Sequence, residues 1–162
     1  MRYYLLALTV IILDQWSKWL VVTKMALREQ IPMIDGFFYL TSHRNRGAAF
    51  GILQNQQWLF ISITTIVILF IVIYLWKVRN QFWMSLSLSL VLGGAIGNLI
   101  DRIRTGEVVD FFHFQFGTYQ FPIFNVADSM IVIGVFILAI LTLFSPTEEV
   151  DGELTKAGSH DS

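Results

Sequence analysis

The 162-residue sequence has no cysteine and little charge. Without cysteine there is no disulfide framework, no thiol nucleophile and no thiolate metal site. Charged residues make up 14% of the chain, where a soluble domain carries roughly 25%. The formal net charge of -1 provides no basic footprint for nucleic acid. His-Glu-x-x-His and Gly-x-Ser-x-Gly are both absent, which argues against zincin and serine-hydrolase chemistry. What the chain has in excess is apolar surface: 55% of its residues are hydrophobic and the mean hydropathy is +0.62. A soluble globule of this size would leave much of that surface in water, and a disordered chain would be far more polar. The composition is that of a membrane protein.

A helix crosses the hydrocarbon core with about 20 apolar residues. The charge-free stretches 47–76, 80–100 and 129–147, together with the apolar stretch 3–22, predict four transmembrane helices over about 3–23, 57–76, 82–103 and 126–144. Trp58, Trp76 and Trp83 stand at predicted helix ends, where an aromatic belt belongs. The first span is read as a retained helix. It carries Asp14 and Lys18, and no small-residue cleavage pattern follows it. Four helices put loop one (24–56) and loop three (104–125) on one face. Asp35-Gly36 followed by an aromatic run, and the run from Val108 to Phe116, predict a small β element there. Residues 1–144 form one membrane domain in this reading, and 145–162 an acidic, disordered tail. A plain Lys/Arg count places loops one and three in the cytoplasm.

Ionisable residues inside spans are functional candidates by default. Asp14 and Lys18 are spaced i, i+4 and can form a structural ion pair on helix one. Ser17-Lys18 does not make a Ser/Lys dyad, because helix neighbours point about 100° apart. On helix three, Gly93 and Gly97 form a small-xxx-small pair. Asn98, Asp101 and Arg102 follow on a shared face, and the Asn98 amide needs partners, with Asp101 and Arg102 within a turn of it. Asp110 lies in a short apolar run. Asp128 starts helix four, where Asn125 and Asp128 have the spacing of a variant capping box. Capping alone explains Asp128 as well as catalysis does. The convergence of Asn45, Asn98, Arg102, Asp110, Asn125 and Asp128 on one membrane face is what favours chemistry. Two close aspartates cannot both ionise cheaply, so one keeps its proton. The charged one can then take a proton from water while its neutral partner hydrogen-bonds a scissile carbonyl.

The pieces Asp14-Gln15-Trp16-Ser17-Lys18, Arg44-Asn45-Arg46-Gly47-Ala48-Ala49-Phe50, Gly97-Asn98-Leu99-Ile100-Asp101-Arg102, Val108-Val109-Asp110-Phe111 and Phe124-Asn125-Val126-Ala127-Asp128 resemble, in order and spacing, the lipoprotein signal peptidase (signal peptidase II) family. The resemblance runs from about residue 3 to 144. It implies an all-α polytopic membrane protein of four transmembrane helices in the bacterial cytoplasmic membrane, with both termini cytoplasmic. It also implies a small extracytoplasmic β-cradle and a short amphipathic segment. The implied reaction removes the signal peptide from bacterial prolipoproteins, cutting before a diacylglyceryl-modified cysteine, without metal or cofactor. The implied partners are those substrates, membrane lipids and the inhibitor globomycin, and no nucleic acid. Asp110 and Asp128 match the catalytic pair. Asn45, Asn98, Arg102 and Asn125 match positions lining the substrate and inhibitor site, and Asp14, Lys18 and Asp101 match structural positions. The implied orientation opposes the Lys/Arg count and is preferred to it, because Arg44 and Arg46 flank a site residue and Arg102 belongs to the site.

Two other classes compete. A small proton- or cation-coupled transporter would use Asp14, Asp110 and Asp128 as a relay, which requires carboxylates spread across the membrane depth. A structural membrane subunit would use its polar side chains as helix glue.

Overall fold

The computed structural model describes residues 2–47 and 56–144. The Ala48-Ala49-Phe50 end of one sequence motif and the acidic tail 145–162 lie outside the described residues. Four helices are long and apolar enough to span a bilayer: α1 (Arg2–Lys24), α2 (Gln57–Lys77), α3 (Phe82–Thr105) and α4 (Val126–Phe144). Strands β1 (Gln30–Ile34) and β2 (Phe38–Asn45) lie between α1 and α2, and β3 (Val108–Phe116) and β4 (Tyr119–Gln120) between α3 and α4. The third helix extends past its expected end at 103 to Thr105 and stops at Gly106, whose φ of 77° is the left-handed conformation glycine adopts without steric cost.

The central helix is α3, against which the other three pack. Its buried face is built of small residues, among them Ser85, Ser87, Ser89, Gly93, Gly94, Ala95 and Gly97. Between membrane helices the association comes from close packing rather than from escape from water, so small residues belong at the contacts. The expected Gly93/Gly97 pair faces α1: a Cβ at Gly93 would fall 2.6 Å from Val10 Cβ, and one at Gly97 would meet the Asp14 carboxylate. Gly94 instead receives the start of α4, at Ala127 and Ile131. The buried serines donate to backbone carbonyls, as Ser85 does to Val78 at 2.8 Å and Ser89 to Ser85 at 2.6 Å. No hydroxyl of the three is then left unpaired in hydrocarbon. Large apolar side chains point outward, including Leu5, Phe70, Val132 and Leu143. Such a surface is untenable in water and ordinary in lipid.

The strands form an antiparallel sheet in the order β1-β2-β3-β4. Its turns carry Gly36 and Gly117, both with positive φ. Phe37, Phe38, Phe112, Phe114, Phe116, Phe121 and Phe124 form a run of ring contacts across it. Val109 and Phe111 bury against Val21 at the end of α1, which seats the sheet on the bundle. Two pairings position the site. In the β2/β3 register Asn45 stands opposite Val108, two residues before Asp110. Backbone bonds from Phe111 and Phe112 to the Phe124 carbonyl hold β3 beside the start of α4.

Candidate active site

Beneath the sheet a buried ionic knot joins the helices. Lys18 spends its three N–H donors on Asp14 at 2.8 Å, Asp101 at 2.9 Å and the Asn98 side-chain oxygen at 2.8 Å. Asp14 also accepts from the Ala127 backbone at 3.0 Å, satisfying a first-turn amide of α4 from a different helix. Asp101 accepts from the Val109 backbone at 3.2 Å and so ties β3 to α3. The Gln15 amide bridges Asp14, the Gly97 carbonyl and Asp101. A buried ion pair withstands its desolvation when further hydrogen bonds occupy the remaining lone pairs, and here they do.

Above the knot, Asp110 and Asp128 line one pocket of about 280 Å³ together with Asn45, Asn98, Arg102 and Phe124. Three asparagines hold the two carboxylates. Asn45 donates to one oxygen of Asp110 at 2.9 Å and Asn125 to the other at 2.7 Å. Asn98 donates to Asp128 at 2.7 Å. Each amide is itself turned by a donor on its oxygen: Gly47 N–H on Asn45, Asp128 N–H on Asn125, and the Lys18 ammonium on Asn98. No amide can flip without breaking a bond, so all three N–H groups face the carboxylates. The sites where a carboxyl proton can sit are thereby narrowed.

The capping box also exists. Asn125 accepts from the Asp128 backbone at 2.9 Å, and Asp128 accepts from the Asn125 backbone at 3.2 Å. Capping and pocket-lining thus belong to the same residue, one Asp128 oxygen serving the cap and the other facing Asn98. Asp110 is 1% exposed. Burial, and after it the charge of Asp128, pushes its carboxyl up from 3.8 to about 7, against the pull of the Asn45 and Asn125 hydrogen bonds. Asp110 thus keeps its carboxyl proton to a higher pH than an exposed aspartate does.

Of the site candidates in the sequence, Asp14, Lys18 and Asp101 fall in the knot, Asn45, Asn98, Arg102, Asp110 and Asp128 line the pocket, and Asn125, expected to line it, is instead fully buried behind it, its amide turned to Asp110. The partners differ from expectation at Asn98. Its amide binds Lys18, Asn125 and Asp128 from other helices, rather than Asp101 and Arg102 on its own. The reason is geometric: side chains at i+3 and i+4 share a face, but the polar groups opposing Asn98 come from α1 and α4. Arg102 lines the pocket with its guanidinium 5.0 Å from the centre of the Phe60 ring, facing the charge of Asp128 foremost. Gln15, which the sequence shows only as a member of the Asp14–Lys18 motif, joins the knot as well, and a polar side chain beside Asp14 within a span is its signal. Gln57, whose amide donates to the Arg102 carbonyl at 2.7 Å, gave no signal at all. Among the described residues, no three His, Asp or Glu side chains converge as metal ligands. Every described carboxylate lies in the half of the molecule that bears the sheet, unlike a relay spread through the membrane depth.

Known proteins resemble this chain along most of its length. The family model described as signal peptidase (SPase) II matches residues 6–144. The lipoprotein signal peptidase of Geobacillus thermodenitrificans is 55% identical over 152 residues, covering 93% of this chain and 95% of the relative. That of Halalkalibacterium halodurans is 58% identical over 139 residues, covering 85% and 89%. A solved bacterial membrane enzyme superposes with a TM-score of 0.85 at 39% identity, covering 94% of each chain. A second gives 0.80 at 41% identity, covering 90% of this chain and 94% of that one. Two aspartates held in one pocket on a four-helix membrane scaffold, with matches along nearly the whole chain, lead to one conclusion: this chain belongs to the signal peptidase II family.

Proposed function

We propose that this chain is a membrane aspartic endopeptidase that removes the signal peptide from bacterial prolipoproteins, with Asp110 and Asp128 as its catalytic pair. The observation that carries the reading is the shared pocket, behind which the buried Asn125 binds Asp110 through its amide and Asp128 through its backbone and side-chain oxygen. Ionised Asp128 takes a proton from the attacking water. Protonated Asp110, held near pH 7, delivers its proton to the scissile carbonyl oxygen as the water oxygen bonds to carbon. The resulting tetrahedral diol collapses when Asp128 returns a proton to the departing amide nitrogen and Asp110 recovers one from a diol hydroxyl. Arg102, Asn45 and Asn98 face the peptide, and the three asparagines keep the carboxylates in register, Asn125 from its buried place behind Asp110. Asp14, Lys18 and Asp101 hold the floor on which Asn98 rests.

The substrate end is a cysteine bearing two acyl chains. Each buried CH₂ is worth roughly 0.8 kcal/mol. Chains left in the bilayer anchor the peptide beside a pocket at the membrane face. Globomycin, a lipopeptide, fits the same description and is assigned to this pocket. Both termini face the cytoplasm, and the sheet and pocket face outside. The test uses purified protein in detergent with a diacylglyceryl-modified precursor peptide and its unmodified counterpart. Cleavage of the first and much slower cleavage of the second is expected, and equal rates overturn the lipid part of the reading. For orientation, a reporter enzyme active only outside the cell, fused after Asn80, should be silent; strong signal reverses the topology.

A further inference from the structure

A second concavity, of about 480 Å³, lies at the opposite end of the bundle, lined by Tyr4 of α1, by Val72, Ile73, Trp76 and Lys77 of α2, and by Arg79 just beyond it. Both helices pack on α3 and leave a groove between them, crossed at 3.3 Å by the bond from the Tyr4 hydroxyl to the Val72 carbonyl. Arg79 is held in place there: its guanidinium stacks 5.1 Å from the centre of the Trp76 ring and donates to the Trp76 carbonyl at 3.2 Å. Most of its donors remain free. Among the described residues no ion pair includes Lys77 or Arg79, and no described carboxylate lies in this half. The groove is therefore apolar along its length and cationic at its rim. Tyr4 and Trp76 sit at the ends of their helices, the level of lipid headgroups.

We propose that this groove binds one anionic phospholipid of the membrane. Lys77 and Arg79 take the headgroup phosphate, and an acyl chain lies against Val72, Ile73 and the Tyr4 ring. Simple snorkelling would extend both cations toward water, whereas the ring and carbonyl of Trp76 fix Arg79 over a concave surface. The acidic stretch 145–162 of the chain also carries charge of the right sign. Its sequence, SPTEEVDGELTKAGSHDS, has too few apolar side chains to fill the groove. A lipid supplies both the charge and the chain. The inference is independent of the catalytic reading.

The experiment is native mass spectrometry of the full chain in detergent with equimolar phosphatidylglycerol and phosphatidylcholine. The wild type should retain phosphatidylglycerol preferentially. Lys77→Gln with Arg79→Gln should reduce the preference roughly thirty-fold, from the attraction the two surface cations exert on anionic lipid. Lys24→Gln with Arg28→Gln, an equal loss of charge at the other end, should leave it intact. Peptide cleavage by the double variant should be retained and serves as the check on folding. Lys77→Gln alone carries the same test if the double variant is misfolded. Equal loss in both double variants, or no preference in the wild type, overturns the site. Displacement by inorganic phosphate at the same concentration overturns the lipid as occupant. Phosphatidylglycerol preference absent in the wild type and gained only when Glu148, Glu149, Asp151 and Glu153 are neutralised assigns the groove to the tail instead.

Discussion

Around Asp14 and Asn98 the interior is polar and each amide and ammonium donor meets an acceptor, whereas α2 runs for 21 residues with only Ile71 and Leu75 buried. Both regions lie in the same bundle. In hydrocarbon, an apolar side chain gains little by facing protein rather than lipid, so the α2 surface says little about where that helix must sit. An unpaired donor in hydrocarbon is expensive, so the polar end admits few arrangements. The arrangement that satisfies α1, α3, α4, β2 and β3 together is also the one that sets two carboxylates in one pocket. Structural specificity and the candidate site share residues there: Lys18 turns the Asn98 amide, and Asn98 faces Asp128.

The largest expected contrast between the two regions is in catalysis. Asp110→Asn and Asp128→Asn should each lower peptide cleavage by at least ~10³-fold, because an amide cannot exchange the proton and groups acting as a unit fail together. The double variant should be little worse than either single one. A lipid-facing change on α2, Phe70→Ala, should leave the rate unchanged. Near-normal cleavage by either Asn variant removes the pair from the mechanism. Next comes Lys18→Met, which strands Asp14 and Asp101 in the interior and should cost roughly 3–5 kcal/mol of stability. Thermal unfolding in detergent measures it. A loss below about 1 kcal/mol would mean that the knot contributes little to the fold.

Much of this was legible in the sequence, for identifiable reasons. The helices were, because charge-free runs of bilayer length have few other uses. The capping box was, because it is local, from Asn125 to Asp128. The hairpin at Asp35-Gly36 was, through its turn chemistry. The Lys18–Asn98 bond was not, since it joins residues 80 positions apart and no local pattern records which face of α1 meets α3. The β2/β3 register was not, because its irregularity between Leu40 and His43 depends on how the sheet sits on the helices. The paired roles of the two Asp128 oxygens were not, because one partner is local and the other comes from α3.

The third contrast concerns pH. Asp110 titrates at about 7 in the folded protein and near 3.8 when exposed. A raised carboxyl binds its proton more tightly in the folded state. Its contribution is therefore fully present below pH 3.8 and disappears as the pH rises through 7. Between pH 5 and 8 the wild type should lose about 2–3 kcal/mol through this group. Asp110→Asn has nothing to titrate there. Its amide must point a donor at Asn45 or Asn125, a penalty that does not change with pH. The variant's melting temperature relative to wild type should therefore climb from pH 5 to pH 8, whatever its starting offset. A flat difference would mean that Asp110 is ionised across the whole range, and Asp128 would become the candidate for the proton.

The smallest expected effects come from changing volume in the two regions. A Cβ at Gly97 would fall 2.5 Å from Asp14 Oδ2, an atom already held by Lys18 and Gln15. The carboxylate cannot retreat without loosening the knot, so Gly97→Ala should cost roughly 1–3 kcal/mol, the usual range for overpacking a tight core. Phe70→Ala removes a whole ring, yet Phe70 is 70% exposed on α2. Lipid tails surround the ring before the change and close over the gap after it, so the cost should stay within about 0.5 kcal/mol. One added carbon would then outweigh a lost aromatic ring. Thermal unfolding of both variants in lipid nanodiscs makes the comparison directly. If Phe70→Ala destabilises as much as Gly97→Ala, the outer face of α2 is a protein–protein contact rather than a lipid-facing surface.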